Sequence, residues 1–244
     1  MSDDRSEKNG NKVSYGDSHT DDDASACTTK SVLYDANCII YHCFFATEKY
    51  KKKTIQFKYP HFSEKTQELT NFFCKENIRI MTISSVWEEI FVKGIAVIVE
   101  EAISDNYSFY SSVFRKKRFP PIVKLRLVRK LEKKILGLEE KGWFEVVDFN
   151  PPEKEVEDVV KFYLSQKRTE TMEKIRELKG RYRELPSRAD ISLLKYSQVK
   201  KIPILTNDMD LIWFRKELEK QNICYKIYPL LDVTIEELEA NFRC

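Results

Sequence analysis

Histidine is scarce in this chain and cysteine is scattered. The three histidines (His19, His42, His61) offer no zinc spacing, and the six cysteines (Cys27, Cys38, Cys43, Cys74, Cys224, Cys244) contain no CxxC pair. A zinc module is therefore not expected. Free thiols in a reducing compartment are, with Cys38 and Cys43 lining the core. No apolar run approaches the roughly 18 residues that a membrane span needs. The N-terminus is acidic and polar, unlike a signal peptide. The expectation is a soluble, cytoplasmic protein with no membrane contact. There is no internal repeat.

What is present is charge, nearly balanced at 42 basic against 39 acidic residues, and 42% hydrophobic content, enough for a real core. The balance is uneven along the chain. Residues 1–30 carry a net −3, which leaves +6 for 31–244. That surplus suits a polyanionic partner without demanding one. Residues 1–30 are polar with scarcely an apolar side chain, so they read as a disordered tail. Residues 31–244 read as one domain, with 105–185 as an elaboration in its middle.

Within that domain short apolar runs alternate with helical periodicity. Strands are predicted near 31–34, 78–83, 143–149, 202–205 and 223–229. Helices are predicted over 38–45, 64–75, 84 to about 103, 122–138, 153–184, from Pro186 onward, 208–219 and 234–242. Residues 49–63 read as a loop. Leu125, Val128, Leu131, Ile135 and Leu138 mark the apolar side of the helix 122–138. Such alternation implies crossover connections and an α/β fold, with a mostly parallel sheet of about five strands flanked by helices.

The stretch Ile202-Pro-Ile-Leu-Thr-Asn-Asp-Met-Asp-Leu-Ile212 is the most telling. A buried strand ends abruptly in polar residues, which points carboxylates into the crevice beyond a sheet's carboxyl edge, where α/β sites are built. Two other stretches share that pattern. Asp35 follows the first strand and Glu89 sits on the helix after the second. Asp190 lies in a first helical turn, and Asp208 and Asp210 follow the strand at 202–205. Clustered carboxylates repel and raise one another's pKa unless a cation sits among them. Mg²⁺ or Mn²⁺ with oxygen ligands resolves that repulsion and suits phosphodiester hydrolysis. Each acid also has a local reading. Asp35 and Asp208 can be helix N-caps, Asp190 stands three residues after Ser187 in capping-box spacing, and Glu89 can be a solvated helix residue. Ser85 and Glu88 also have capping-box spacing. That assigns Glu88 a backbone duty and leaves Glu89 for the site.

Four blocks carry a resemblance: Val32-Leu-Tyr-Asp-Ala-Asn37, Ile83-Ser-Ser-Val-Trp-Glu-Glu-Ile90, Ala189-Asp-Ile-Ser-Leu-Leu194 and Ile202 to Leu211. In this order they resemble the signature blocks of PIN-domain nucleases. The resemblance implies a Rossmann-like PIN fold and a Mg²⁺ or Mn²⁺ site. In that site Asp35, Glu89, Asp190 and Asp208 take the catalytic, metal-ligand places, with Asp210 beside them. Asn37, Thr206 and Asn207 would support them. It implies a hydrolase cutting single-stranded RNA. A homodimer and a protein inhibitor of the antitoxin kind are associations known in that family. The tail 1–30 and the elaboration 105–185 depart from its compact toxins.

The elaboration is basic. Residues 115–134 hold ten Lys or Arg against one acid, Glu132. Arg115, Lys116, Lys117, Arg118, Lys124 and Arg126 are the candidate RNA-backbone contacts. Tyr107, Phe109 and Tyr110 are candidates for stacking on bases. The plain alternative is a solvated helix face. Residues 153–184 alternate in charge (Glu170, Glu173, Lys174, Arg176, Glu177) and read as a packing arm. Two other functions stay open: a non-catalytic nucleic-acid-binding or scaffold module, and a nuclease on structured DNA.

Overall fold

Ser31 and the three apolar residues after it form β1 (Ser31–Tyr34), buried along its whole length. It is the central strand of the computed structural model, which describes residues 30–44, 47–50, 53–56, 60–104, 121–166 and 185–242. The chain continues through α1 (Ala36–Cys43), β2 (Thr47–Tyr50), β3 (Lys53–Gln56), α2 (Pro60–Lys75) and β4 (Arg79–Ile83). Then come α3 (Ser84–Glu89), a π-helical turn (Ile90–Gly94), α4 (Ile95–Ser104), α5 (Pro121–Glu139) and β5 (Glu145–Val147). The last part holds α6 (Glu153–Ser165), α7 (Arg188–Lys200), β6 (Ile204–Thr206), α8 (Met209–Ile212), α9 (Arg215–Lys220), β7 (Ile227–Pro229) and α10 (Ile235–Phe242).

Five strands form one all-parallel sheet in the order β5-β4-β1-β6-β7. Helices cover both faces, as the alternation of elements predicts, and side-chain parity sorts the core into two layers. Val32, Tyr34, Ile80, Leu205 and Tyr228 point to the layer packed by α1, α2, α4, α5 and α10. Leu33, Met81, Ile83, Ile204 and Ile227 point to the layer packed by α6, α7 and α9. Cys38 and Cys43 are buried free thiols, as expected, and Cys74 and Cys224 are free as well. Among the described residues no helix is long and apolar enough to cross a membrane.

Several expectations need correction. The loop expected at 49–63 contains an antiparallel hairpin, β2 with β3, and the start of α2 at Pro60. Proline suits a first helical turn because its missing N–H has no partner there anyway. The Ser85–Glu88 capping box does not form. Helix α3 springs straight from β4 with Ile83 as its N-cap and no side-chain cap. Ser85 is already inside the helix, and its Oγ is buried without a hydrogen-bond partner. Helix α5 buries Val123, Leu127, Leu131 and Ile135, so its seam is rotated from the predicted one, and Leu125 is 45% exposed. The helix expected over 208–219 is broken at Trp213 and Phe214 into α8 and α9. The strands predicted at 143–149, 202–205 and 223–229 shrink or shift to β5, β6 and β7. Of the helical stretch expected over 153–184, the described part is α6, and 167–184 lie outside the described residues. Residues 1–29, 105–120 and 167–184, with the readings placed on them, lie outside the described residues.

Candidate active site

From β1 the chain crosses to β4, and from β6 it crosses to β7, on the other side. The junction between neighbouring β1 and β6 is thus a topological switch point. Loops diverge there and leave a crevice at the strands' carboxyl ends. Asp35 follows β1 and Asp208 follows β6, so the sheet itself carries these two acids to one place.

One hydroxyl joins them. Thr206, the fully buried last residue of β6, donates from Oγ1 to Asp35 Oδ2 at 2.8 Å. The same oxygen accepts the Asp208 backbone N–H at 2.9 Å. Asp35 is only 4% exposed and its Oδ1 accepts the Ala36 N–H at 2.6 Å, capping α1. Asp208 Oδ1 accepts the Asp210 N–H at 2.9 Å, capping α8. The Tyr163 hydroxyl donates to the Asp210 carbonyl at 3.1 Å and ties α6 to the same turn.

Ser187 does the matching work across the crevice. It caps α7 in a complete capping box: Ser187 Oγ accepts the Asp190 N–H at 3.1 Å, and Asp190 Oδ2 accepts the Ser187 N–H at 2.7 Å. Its hydroxyl also donates to Glu89 Oε2 at 3.0 Å. Glu89 Oε1 holds the Lys93 ammonium one helical turn on. Glu89 is partly buried while Glu88 is exposed, and of the two only Glu89 lines the cleft over the sheet edge.

The electrostatics show that these acids feel one another. Burial pushes the Asp35 carboxyl up to about 7, and the charges of Asp208 and Glu89 push the same way against the bonds from Thr206 and Ala36. Burial also holds the Asp190 carboxyl well above the usual range, reinforced by Asp208 and Asp35. Tyr163 is raised first by burial and then by Asp190, Asp210 and Asp208. A cleft of about 590 Å³ opens over this edge, with Asn37, Glu89, Asp190, Asn207, Asp208 and Asp210 in its wall. Asp35 lies beneath that wall, buried.

Two charged wall residues were not among the sequence candidates. Lys93 and Glu101 also line the cleft. Lys93 lies within the π turn, and Glu101 comes after it, where the extra residue rotates positions by roughly 100° relative to an unbroken helix. An unbroken helical template through 84–103 leaves Glu101 off the site side, whereas Lys93 stands four residues after Glu89, the spacing of an i,i+4 ion pair.

The basic candidates fare unevenly. Arg115, Lys116, Lys117 and Arg118 lie outside the described residues, as do Tyr107, Phe109 and Tyr110. Lys124 bonds Glu100 at 2.8 Å, and Arg126 is exposed. Helix α5 packs on α1 and α4, both of which line the cleft. Its far half leads away from the acids, because Lys134 donates to the Cys43 carbonyl at the C-terminal end of α1.

As placed, no three His, Cys, Asp or Glu side chains among the described residues are arranged to hold a metal ion. The donor chemistry nonetheless fits a hard cation. The acids are oxygen donors and most of them line one cleft, and burial, reinforced by the neighbouring charges, raises the proton affinity of Asp35 and Asp190. Their present engagement is with backbone N–H groups, Thr206, Ser187 and Lys93.

The fold and the site together define a doubly wound α/β chain with an acidic cleft at its switch point. No family model matches it, and neither a curated protein nor a solved structure does.

Proposed function

We propose that this chain is a divalent-cation-dependent ribonuclease that hydrolyses phosphodiester bonds, with single-stranded RNA as its substrate. The observation that carries the reading is the meeting of Asp35, Asp190 and Asp208, with Glu89, at the β1/β6 switch point. These are the four positions singled out by the resemblance to PIN-domain nucleases, and distant parts of the chain bring them together. Asp35, Glu89, Asp190 and Asp208 are the residues that would hold Mg²⁺ or Mn²⁺, with Asp210 at the rim. A bound ion of this kind supplies Lewis acidity toward the phosphoryl oxygen and lowers the pKa of an attacking water. The chain's own residues do the positioning. Thr206 fixes Asp35 to the turn of Asp208, and Ser187 fixes Glu89 to the first turn of α7. Burial of Asp35 keeps bulk water from that side of the cleft.

A second reading has its own support: a nucleic-acid-binding module that does not cut. Every one of these acids has a capping or ion-pair duty, and no ligand trio is assembled among the described residues. A labelled single-stranded RNA pool separates the two. The nuclease reading expects cutting in Mn²⁺, none in EDTA, and a loss of at least about a hundredfold in Asp208→Asn. Binding without cutting in any divalent ion would contradict it and leave the module.

A further inference from the structure

A polyanion approaching a wall of carboxylates is drawn by each positive group beside them, the chain's own cations as well as any bound ion. Among the described residues that line the cleft, Lys93 is the one cation, facing Glu89, Glu101, Asp190, Asp208 and Asp210. We propose that the Lys93 ammonium is the phosphate-binding group of this cleft, exchanging Glu89 for a phosphodiester of the bound strand. The inference rests on the reading above that the site takes a polynucleotide.

Three features favour the exchange. The first is a fixed base with a mobile tip. Lys93 sits in the π turn, and a Cβ added at Gly94 would come within 3.0 Å of Ile40 Cδ1. That close approach presses the turn against α1, the helix that starts beside Asp35. The Lys93 side chain itself is 37% exposed and carries a flexible stem. The second is that Glu89 keeps a partner when Lys93 leaves, because Ser187 Oγ still donates to it at 3.0 Å. The third is continuity. A second cleft of about 760 Å³ shares Glu89, Lys93, Leu185 and Ser187 with the first, and Arg188 stands on its wall. The two make one trough, with Lys93 where they meet. A strand lying along it passes the acids and Lys93 in turn.

The test is binding of a short fluorescent single-stranded RNA in Ca²⁺, read by anisotropy across a salt series, for the wild type, Lys93→Ala, Lys93→Gln and Lys93→Arg. Removing one phosphate contact should raise Kd about tenfold and lower the slope of log Kd against log salt by about 0.7. Arg should retain both, since it keeps the charge. Unchanged Kd and slope in Lys93→Ala and Lys93→Gln, with only a lower Tm, would show that Lys93 merely pairs with Glu89. A wild type that binds no RNA would overturn the proposal equally. Cutting is scored separately in Mn²⁺. A chain that binds through Lys93 and never cuts fails the nuclease reading and keeps the phosphate site.

Discussion

Single residues set the terms on which the acids coexist. Asp35 holds its proton to about pH 7 in the fold, against 3.8 as its ordinary value. Between those limits the folded state binds more protons than the unfolded chain, so this residue's contribution to stability falls as pH rises from 4 to 7 and stays low above 7. Asp35→Asn keeps a good N-cap and removes the charge. It should raise stability at pH 8 by on the order of 1–3 kcal/mol, change little at pH 4, and abolish cutting. Equal losses at both pH values in thermal melts would mean that the cap, not the charge, governs the site. His42 runs the other way. Burial, then Lys134, pushes its imidazole down to about 4, and its Nδ1 lies 3.3 Å from Thr70 Oγ1. The unfolded chain takes up that proton near 6.5, so stability is full above 6.5 and drains as pH falls toward 4. A His42→Gln variant should show a flatter pH–Tm curve over that window, and an unchanged curve would contradict the assignment. Ser85 tests the failed capping box. Its Oγ is buried and unpartnered, so Ser85→Ala should be neutral or stabilising by up to about 1 kcal/mol. A working cap would instead lose about that much.

At the scale of elements, the legible parts were those whose signal is local. The run Val32-Leu-Tyr34 ending at Asp35 names both a strand and the N-cap that follows, and the Ser187–Asp190 box formed as its spacing predicts. Ser85 and Glu88 have equivalent spacing and failed, because the spacing is silent on where the strand hands over to the helix. The π turn was invisible for a related reason. It adds a residue to a turn without a mark in composition, and it sets Gly94 close to Ile40, a residue far off in the chain. With it went Glu101. The seam of α5 was misplaced because apolar residues sit on more than one side of that helix. Helix α7 ends on Lys201 at φ 53° and ψ 43°, a left-handed position that favours glycine. Lys201→Gly should therefore stabilise by about 0.5–1 kcal/mol in denaturant unfolding, and a loss would contradict the strain.

For the whole molecule, alternation of strand and helix gave the parallel sheet, but not its order. Pairing of β1 with both β4 and β6 is a contact between distant segments, and nothing in either segment names its partner. Yet that pairing creates the site. The four acids lie far apart in sequence: the turnabout between β1 and β6 brings Asp35 and Asp208 together, and Ser187 ties Glu89 to the first turn of Asp190's helix. On the proposed function these acids form a cation site and are not merely helix caps. The most direct test is Mn²⁺ titration at neutral pH, followed by electron paramagnetic resonance, on the wild type and Asp208→Asn. The account predicts saturable binding at micromolar to millimolar Mn²⁺ in the wild type and a loss of at least about tenfold in affinity for the variant. Equal, non-saturating Mn²⁺ uptake by both chains would contradict it and return the carboxylates to their capping roles.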